Sequence, residues 1–253
     1  MATILVTGGT GTVGRVVVDR LGAAGHEVRV ASRRPRPAGP TGYSWATVDY
    51  TSGAGLDAAV AGVDTVVLCA GSSRELPMDR LLLSAARRAG APHLVYISIV
   101  GVDRVPFPYY RTKLAAERLV EESGLPWTIL RATQFHDLVA RLTDALSRRC
   151  PVVPVLAGVR VQPIDAREVG ARLAELAAGP AAGRVPDIGG PEIRDAADLV
   201  RAWLRAHRRR RAVLPVRLPG RAVRGFRAGG HLTPDRAVGQ ITFEEFLAES
   251  VAA

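Results

Sequence analysis

Thr3-Ile4-Leu5-Val6-Thr7-Gly8-Gly9-Thr10-Gly11-Thr12-Val13-Gly14 joins a short β-branched and aliphatic run directly to a glycine-rich turn. Apolar residues then recur at helical spacing, Val13, Val16, Val17 and Leu21, until Gly25 closes the segment. Gly9, Gly11 and Gly14 spell G-x-G-x-x-G, and Gly8, Gly11 and Gly14 also spell G-x-x-G-x-x-G. The chemistry behind such spacing is specific. Glycine permits the tight turn, lets backbone approach a pyrophosphate, and allows a helix to pack closely on a strand. The phosphates then meet the unpaired N–H groups of the first helical turn. Strand, glycines and helix in this order predict a dinucleotide-binding start, with Gly8, Gly11, Gly14 and Val13 lining the phosphates and the hydroxyls of Thr10 and Thr12 available to them.

The next strand bears on which dinucleotide. His26-Glu27-Val28-Arg29-Val30-Ala31 reads as strand and ends in Ser32-Arg33-Arg34. A site for NAD places Asp or Glu there to hold the ribose 2′-hydroxyl. Two guanidiniums stand there instead, and a guanidinium fork pairs with a 2′-phosphate. The expectation is NADP(H) in preference to NAD(H), with Ser32, Arg33 and Arg34 as contacts.

Further strands are expected at Thr47–Asp49, Thr65–Cys69, His93–Ile97 and Trp127–Leu130, with helices around Leu56–Ala61, Met78–Ala89 and Tyr109–Glu122. That alternation predicts an α/β fold, a Rossmann-type doubly wound parallel sheet with helices on both faces. Ligands of such sheets bind outside the carboxyl ends of the strands. Beyond the glycines, the candidates are therefore Asp49 and Tyr50, Ala70 and Gly71, Ser98, and the stretch Ala132, Thr133, Gln134 and Phe135. After about Cys150 the rhythm changes and prolines multiply. Residues 1–150 are expected to form the nucleotide-binding core, and residues 151–253 a smaller C-terminal lobe that completes the same domain. In that lobe Asp165 and Asp195 open helices, and Thr242-Phe243-Glu244-Glu245 reads as a capping box.

A chain of 253 residues that is 47% hydrophobic can bury a substantial core. No run approaches the roughly 18 apolar residues of a membrane span, so no membrane partner is expected and the cytoplasm is the default location. Cys69 and Cys150 have no metal-ligand spacing, and no metal site is expected.

One lysine, Lys113, occurs among 34 basic residues. It follows Tyr109 by four positions in Tyr109-Tyr110-Arg111-Thr112-Lys113, so on a helix phenol and ammonium share a face. A nearby ammonium stabilises phenolate, lowering a pKa ordinarily about 10 and making the hydroxyl a better proton donor. Lys is a compact point charge where Arg is a planar fork, which gives a reason for lysine here; a drifting surface residue is the plainer alternative.

Together Thr7-Gly8-Gly9-Thr10-Gly11-x-x-Gly14, Tyr109-x-x-x-Lys113, Ser123-Gly124-Leu125-Pro126-Trp127-Thr128-Ile129-Leu130-Arg131 and Gln134-Phe135 resemble the NmrA-like, atypical short-chain dehydrogenase/reductase group. The resemblance extends to Asp187-Ile188-Gly189-Gly190-Pro191 and Phe243-Glu244-Glu245-Phe246-Leu247. It implies a Rossmann fold binding NAD(P)H, with the C-terminal lobe closing over the nicotinamide end. It also implies Tyr109 as proton donor, Lys113 as ribose ligand and tuner of Tyr109, and a hydroxyl at the preceding strand end to orient a carbonyl. Ser98 is present there, but extended members carry that hydroxyl one place later, where this chain has Ile99. Successive strand residues face opposite ways, so Ser98 either orients substrate or bonds backbone at a strand end.

Two functions follow from the resemblance. One is an NADPH-dependent reductase of a quinone, ketone or conjugated carbonyl, acting on an aromatic or quinone-like small molecule as monomer or homodimer. The other is an NAD(P)H-binding redox-sensing regulator without turnover. The net charge of +10 includes ten arginines and no Asp or Glu between Leu199 and Pro234. With no recognition-helix or stacking motif beside it, this segment is expected to be a solvated face rather than a nucleic-acid surface. His136 is expected to be an exposed residue beside Asp137 at a helix start, Tyr110 a pocket-wall residue, and Trp45 and Trp203 packing residues.

Overall fold

The computed structural model describes residues 1–38, 41–71 and 75–252. Strand β1 (Thr3–Thr7) feeds helix α1 (Thr12–Ala23), followed by β2 (Glu27–Ser32), β3 (Ser44–Thr47), α2 (Leu56–Val60), β4 (Thr65–Leu68), α3 (Glu75–Arg88), β5 (His93–Ile99), α4 (Pro108–Glu121), β6 (Trp127–Ala132) and α5 (His136–Arg149). The remainder comprises β7 (Val152–Leu156), β8 (Arg160–Val161), α6 (Ala166–Ala178), β9 (Gly183–Arg184), β10 (Arg194–Asp195), α7 (Ala196–Ala206), β11 (Ala212–Val216), α8 (Arg221–Arg227) and α9 (Phe243–Ala252). Strand β3 lies three residues before its predicted place. The carboxylate of Asp49 accepts from Thr51 N at 2.8 Å and Ser52 Oγ at 2.7 Å, which commits those positions to a turn.

Two compact units form, interleaved in sequence. The first comprises Met1–Ser98, Arg111–Leu130 and Val169–Val185; the second comprises Ile99–Tyr110, Arg131–Glu168 and Pro186–Ala253. The change of rhythm near Cys150 lies inside the second.

The sheet of the first unit has the order β3-β2-β1-β4-β5-β6-β9, and the pairings β1–β2, β1–β4, β2–β3, β4–β5 and β6–β9 are parallel. This is a Rossmann order, with the reversal of winding between β1 and β4. Alternation divides the core. Leu5, Val66, Leu94 and Tyr96 pack with Leu82 of α3 and with Ala116 and Val120 of α4. Ile4, Val6, Val67 and Val95 are buried and, by the two-residue period, point to the opposite face. There α1 and α6 approach so closely that a Cβ on Gly170 would meet the Val16 side chain at 2.6 Å. Glycine is what allows two helices to lie that near.

In the second unit, β7 and β11 form a two-stranded parallel ribbon. Val153 of the ribbon packs with Leu199 and Trp203 of α7 and with Phe243 and Leu247 of α9. The predicted capping box is present: Thr242 N and Oγ1 donate to Glu245 Oε2 at 2.7 and 2.8 Å, and Glu245 N donates to Thr242 Oγ1 at 3.3 Å. Such a cap stabilises a helix start by about 1 kcal/mol.

Candidate functional site

At the winding reversal, the Thr7 hydroxyl donates to Val67 O at 3.3 Å and accepts from Cys69 N and Ala70 N at 3.2 and 3.3 Å, tying the ends of β1 and β4 together. In the sequence, the signal for Thr7 is its place at a strand end beside the glycines. Gly8 has φ of +65°, and a Cβ there would lie 2.9 Å from Ala70 backbone. A Cβ on Gly14 would overlap the Gly8 carbonyl oxygen. Only hydrogen fits at either position, so the glycines are fixed by close backbone approach as well as by the turn. Gly11 N donates to Gly8 O at 2.8 Å, and Gly11 is the N-cap of α1 without a side-chain cap bond. The first turn of α1 contains no acidic residue. Its N–H groups are thus presented without a competing carboxylate, the condition an anionic ligand requires. Thr10 is exposed and Thr12 half-buried, while Val13 is buried and offers backbone alone. This cradle fits a dinucleotide pyrophosphate.

At the end of β2, Ser32 Oγ accepts from Arg34 N at 3.1 Å, and Arg34 O accepts from Trp45 Nε1 at 3.1 Å. These bonds shape the turn and leave Arg33 and Arg34 exposed. Asp49 and Tyr50 are more committed than sequence implied. The Asp49 carboxylate is held below its usual range by the Ser52 hydroxyl and Thr51 N–H in its turn. Tyr50 is buried, donates to Ala31 O at 3.4 Å, and has its pKa raised by burial, then by Asp79, with Arg33 opposing. Ala70 is half-buried and Gly71 exposed at the end of β4.

Lys113 is 4% exposed. Its Nζ donates to Ile97 O at 2.7 Å and lies 4.1 Å from the centroid of the Tyr96 ring. The lysine is therefore a buried element of the β5–α4 packing, not a drifting surface residue. Its charge opposes the burial that pushes the neighbouring Cys69 thiol up to about 12. Ser98 lies two residues after Tyr96 in unbroken β5 and shares its face, the face that packs with α4. Its Oγ is buried and has no hydrogen-bond partner among the described residues. A buried hydroxyl is ordinarily hydrogen-bonded, so Ser98 Oγ has bonding capacity to offer on this face.

In the second unit, Tyr109 and Tyr110 separate sharply. Tyr110 is 5% exposed, accepts from Gln134 Nε2 at 3.1 Å, and is pushed up to about 12 by burial. Tyr109 is 38% exposed. Tyr110, Phe107 and Phe226 stand edge to face around one another, with centroids 5.7 to 5.8 Å apart. Phe107 and Phe226 were not among the sequence candidates, because Phe226 lies more than a hundred positions from α4 and only folding joins them. After β6, Ala132 bridges to Ile188, Thr133 N donates to Ile188 O at 3.0 Å, and Phe135 bridges to Ile164. Gln134 Oε1 is buried without a partner among the described residues.

Two expectations are corrected. His136 is fully buried rather than exposed: Nε2 donates to Ile241 O at 3.0 Å, and the ring lies against Phe243 and Phe246. Burial lowers its pKa, against backbone and carboxylate contributions that raise it. The arginine segment is not uniformly solvated either. Arg209 donates to Ser147 Oγ at 2.9 Å and pairs with Asp144 at 3.1 Å, and Arg211 Nε donates to Ser147 O at 2.9 Å. Among the described residues no group of His, Cys, Asp and Glu could hold a metal, and no helix is long and apolar enough to cross a membrane.

Residues 8–148 match the NAD(P)H-binding family. Over 195 residues the chain is 36% identical to the (4-alkanoyl-5-oxo-2,5-dihydrofuran-3-yl)methyl phosphate reductase of Streptomyces griseus, covering 75% of this chain and 68% of that protein. It is 28% identical over 135 residues to quinone oxidoreductase 2 of Escherichia coli, where the match covers 51% of this chain and 47%, about half, of the relative. The structure superposes on an NADPH-dependent quinone oxidoreductase from Escherichia coli complexed with NADPH with a TM-score of 0.81, at 19% identity over 98% of this chain and 99% of that one. That likeness bears on fold.

Proposed function

The chain belongs to the NAD(P)H-binding family, and from that premise we propose that it is an NADPH-dependent reductase of the short-chain dehydrogenase/reductase type, acting on a quinone, ketone or conjugated carbonyl. The glycine cradle Gly8–Gly14, with Thr10 and Thr12, binds the pyrophosphate through the α1 N-terminus. Arg33 and Arg34 hold the 2′-phosphate beside Ser32; backbone at Asp49, Tyr50, Ala70 and Gly71 borders the adenosine half, and Ala132–Phe135 the nicotinamide half. When bound, the nicotinamide supplies a hydride. Lys113, fixed by Ile97 O, holds the ribose, and Ser98 Oγ orients the accepting carbonyl. Tyr109 gives its phenolic proton to the oxygen that gains charge, and solvent returns one to it. Phe107 and Phe226 offer edges and faces suited to a flat ring. Relatives named for a quinone and for an oxo-dihydrofuran are consistent with such a substrate.

The carrying observation is the contrast on one helix: Tyr109 open to solvent, Tyr110 sealed, and the lysine one turn on from Tyr109 buried. Tyr109→Phe is expected to leave NADPH affinity unchanged while lowering turnover of a ketone panel by roughly two to four orders of magnitude. A smaller loss with quinones than with ketones would identify a quinone reductase. Tight NADPH binding with no consumption across the panel, by wild type and variant alike, would replace this reading with the redox-sensing regulator.

A further inference from the structure

We infer that the cavity at the C-terminal end of α7 is a binding site for a phosphate chain, the di- or triphosphate group of a small ligand. Arg201, Arg205 and the run Arg208–Arg211 line this cavity of about 560 Å³, with Leu204 and no carboxylate in its wall. None of these residues belongs to the proposed reductase machinery, so the inference stands apart from that reading.

Ordinary structural duties account for only part of this charge. Arg201 is paired with Asp198 at 2.7 Å, Arg209 with Asp144, and Arg211 with the Ser147 carbonyl. Arg205, Arg208 and Arg210 make no ion pair among the described residues. The helix end does not need them. Arg208 N donates to Arg205 O at 3.0 Å and Arg209 N to Leu204 O at 2.9 Å, a Schellman closure that satisfies these carbonyls with backbone alone. The dipole there amounts to about half a negative charge, which six guanidiniums far exceed even after Asp198 and Asp144 are counted.

Arg208 carries the argument further. It adopts φ of +51° at the position following the C-cap, where glycine is the favoured residue because it has no Cβ to strain. A guanidinium thus stands among like charges at a position where glycine would be unstrained. Arg205 also feels the Glu244 carboxylate, whose pKa it helps to lower. Arg208, Arg210 and Arg211 have no carboxylate within ion-pair distance among the described residues; these three charges match a di- or triphosphate, and guanidinium forks match its paired oxygens. Nucleic acid fits less well, since the Trp203 ring already carries His207 at 4.0 Å and the Arg209 guanidinium at 5.2 Å. No aromatic face in the cavity wall remains for stacking a base.

Calorimetric titration of the full chain with inorganic tripolyphosphate, and separately with ATP, tests the site. Saturable binding is expected, weakened at least about tenfold in R205Q/R208Q/R210Q and less than about twofold in R217Q/R221Q/R224Q, which removes equal charge outside the cavity wall. Similar affinities for the two ligands through these arginines would show that the phosphate chain is recognised; tighter ATP would show a nucleotide. Arg208→Gly is expected to raise Tm by about 2 °C while weakening tripolyphosphate binding, a pairing that misfolding cannot produce. No binding by wild type, or equal losses in both triple variants, would overturn the inference. So would a single strand of about twenty nucleotides that binds the same arginines more tightly than tripolyphosphate.

Discussion

The start of α1 and the end of α7 are both places where an anion is expected, and they are built by opposite means. At α1 the helix offers its positive end, the side chains withdraw, and glycines bring backbone N–H groups forward. At α7 the backbone presents its negative end and closes it, and any attraction must come from arginines reaching past it. The first arrangement depends on steric exclusion of a Cβ, so it tolerates almost no substitution. The second depends on summed charge, so its response to substitution is graded and sensitive to salt.

Gly14→Ala should break the first arrangement outright. The added methyl overlaps Gly8 O and approaches Gly9 Cα at 2.9 Å, both backbone atoms that cannot swing aside. NADPH affinity, measured by fluorescence titration, is expected to fall more than about a hundredfold, with a loss of stability of about 1–3 kcal/mol from overpacking. An alanine variant that still binds NADPH normally would mean that the turn is mere structure. Arg33→Ala is expected to do less, because it removes one charged contact and leaves the cradle intact. NADPH binding should weaken about tenfold, close to 1.4 kcal/mol, with NADH unchanged. Equal affinities of the wild type for the two cofactors would remove the preference for NADP(H).

What the sequence made legible follows the same division. Backbone-dictated features are local, so glycine spacing, the order of strand and helix, and the Thr242–Glu245 cap could be read directly. Lys113 was conspicuous as the single lysine, but its hold on Ile97 O, which makes it a buried residue rather than a surface one, needed the fold. For Ser98 the fold supplies the face, since β5 runs unbroken through Ile99 and puts Ser98 on the side of Tyr96, a placement that the sequence alone left open. Features assembled from distant positions stayed hidden. His136 looked exposed at a helix start because its cover, Ile241, Phe243 and Phe246, comes about a hundred residues later. Phe226 beside Phe107 is hidden in the same way. The arginine run read as uniform because composition cannot show that Arg209 and Arg211 are tied to Ser147 while Arg210 has no ion pair among the described residues.

That last distinction gives the smallest effect and the finest test of the contrast. Arg209 bonds Ser147 Oγ, pairs with Asp144 and lies over Trp203, so α5 and α7 lose three contacts together if it is shortened. The pair is partly solvated, with side-chain exposures of 29% and 32%, and water offsets much of its attraction. Arg209→Gln is therefore expected to cost about 1 kcal/mol, seen as a Tm about 2–4 °C lower. Arg210→Gln should leave Tm within about 1 °C, because no ion pair is lost and crowding is relieved. Thermal unfolding of the two variants side by side, without added anion, separates arginines that hold the unit together from those left over. If both lower Tm alike, the run acts as one structural patch and the division drawn within it fails.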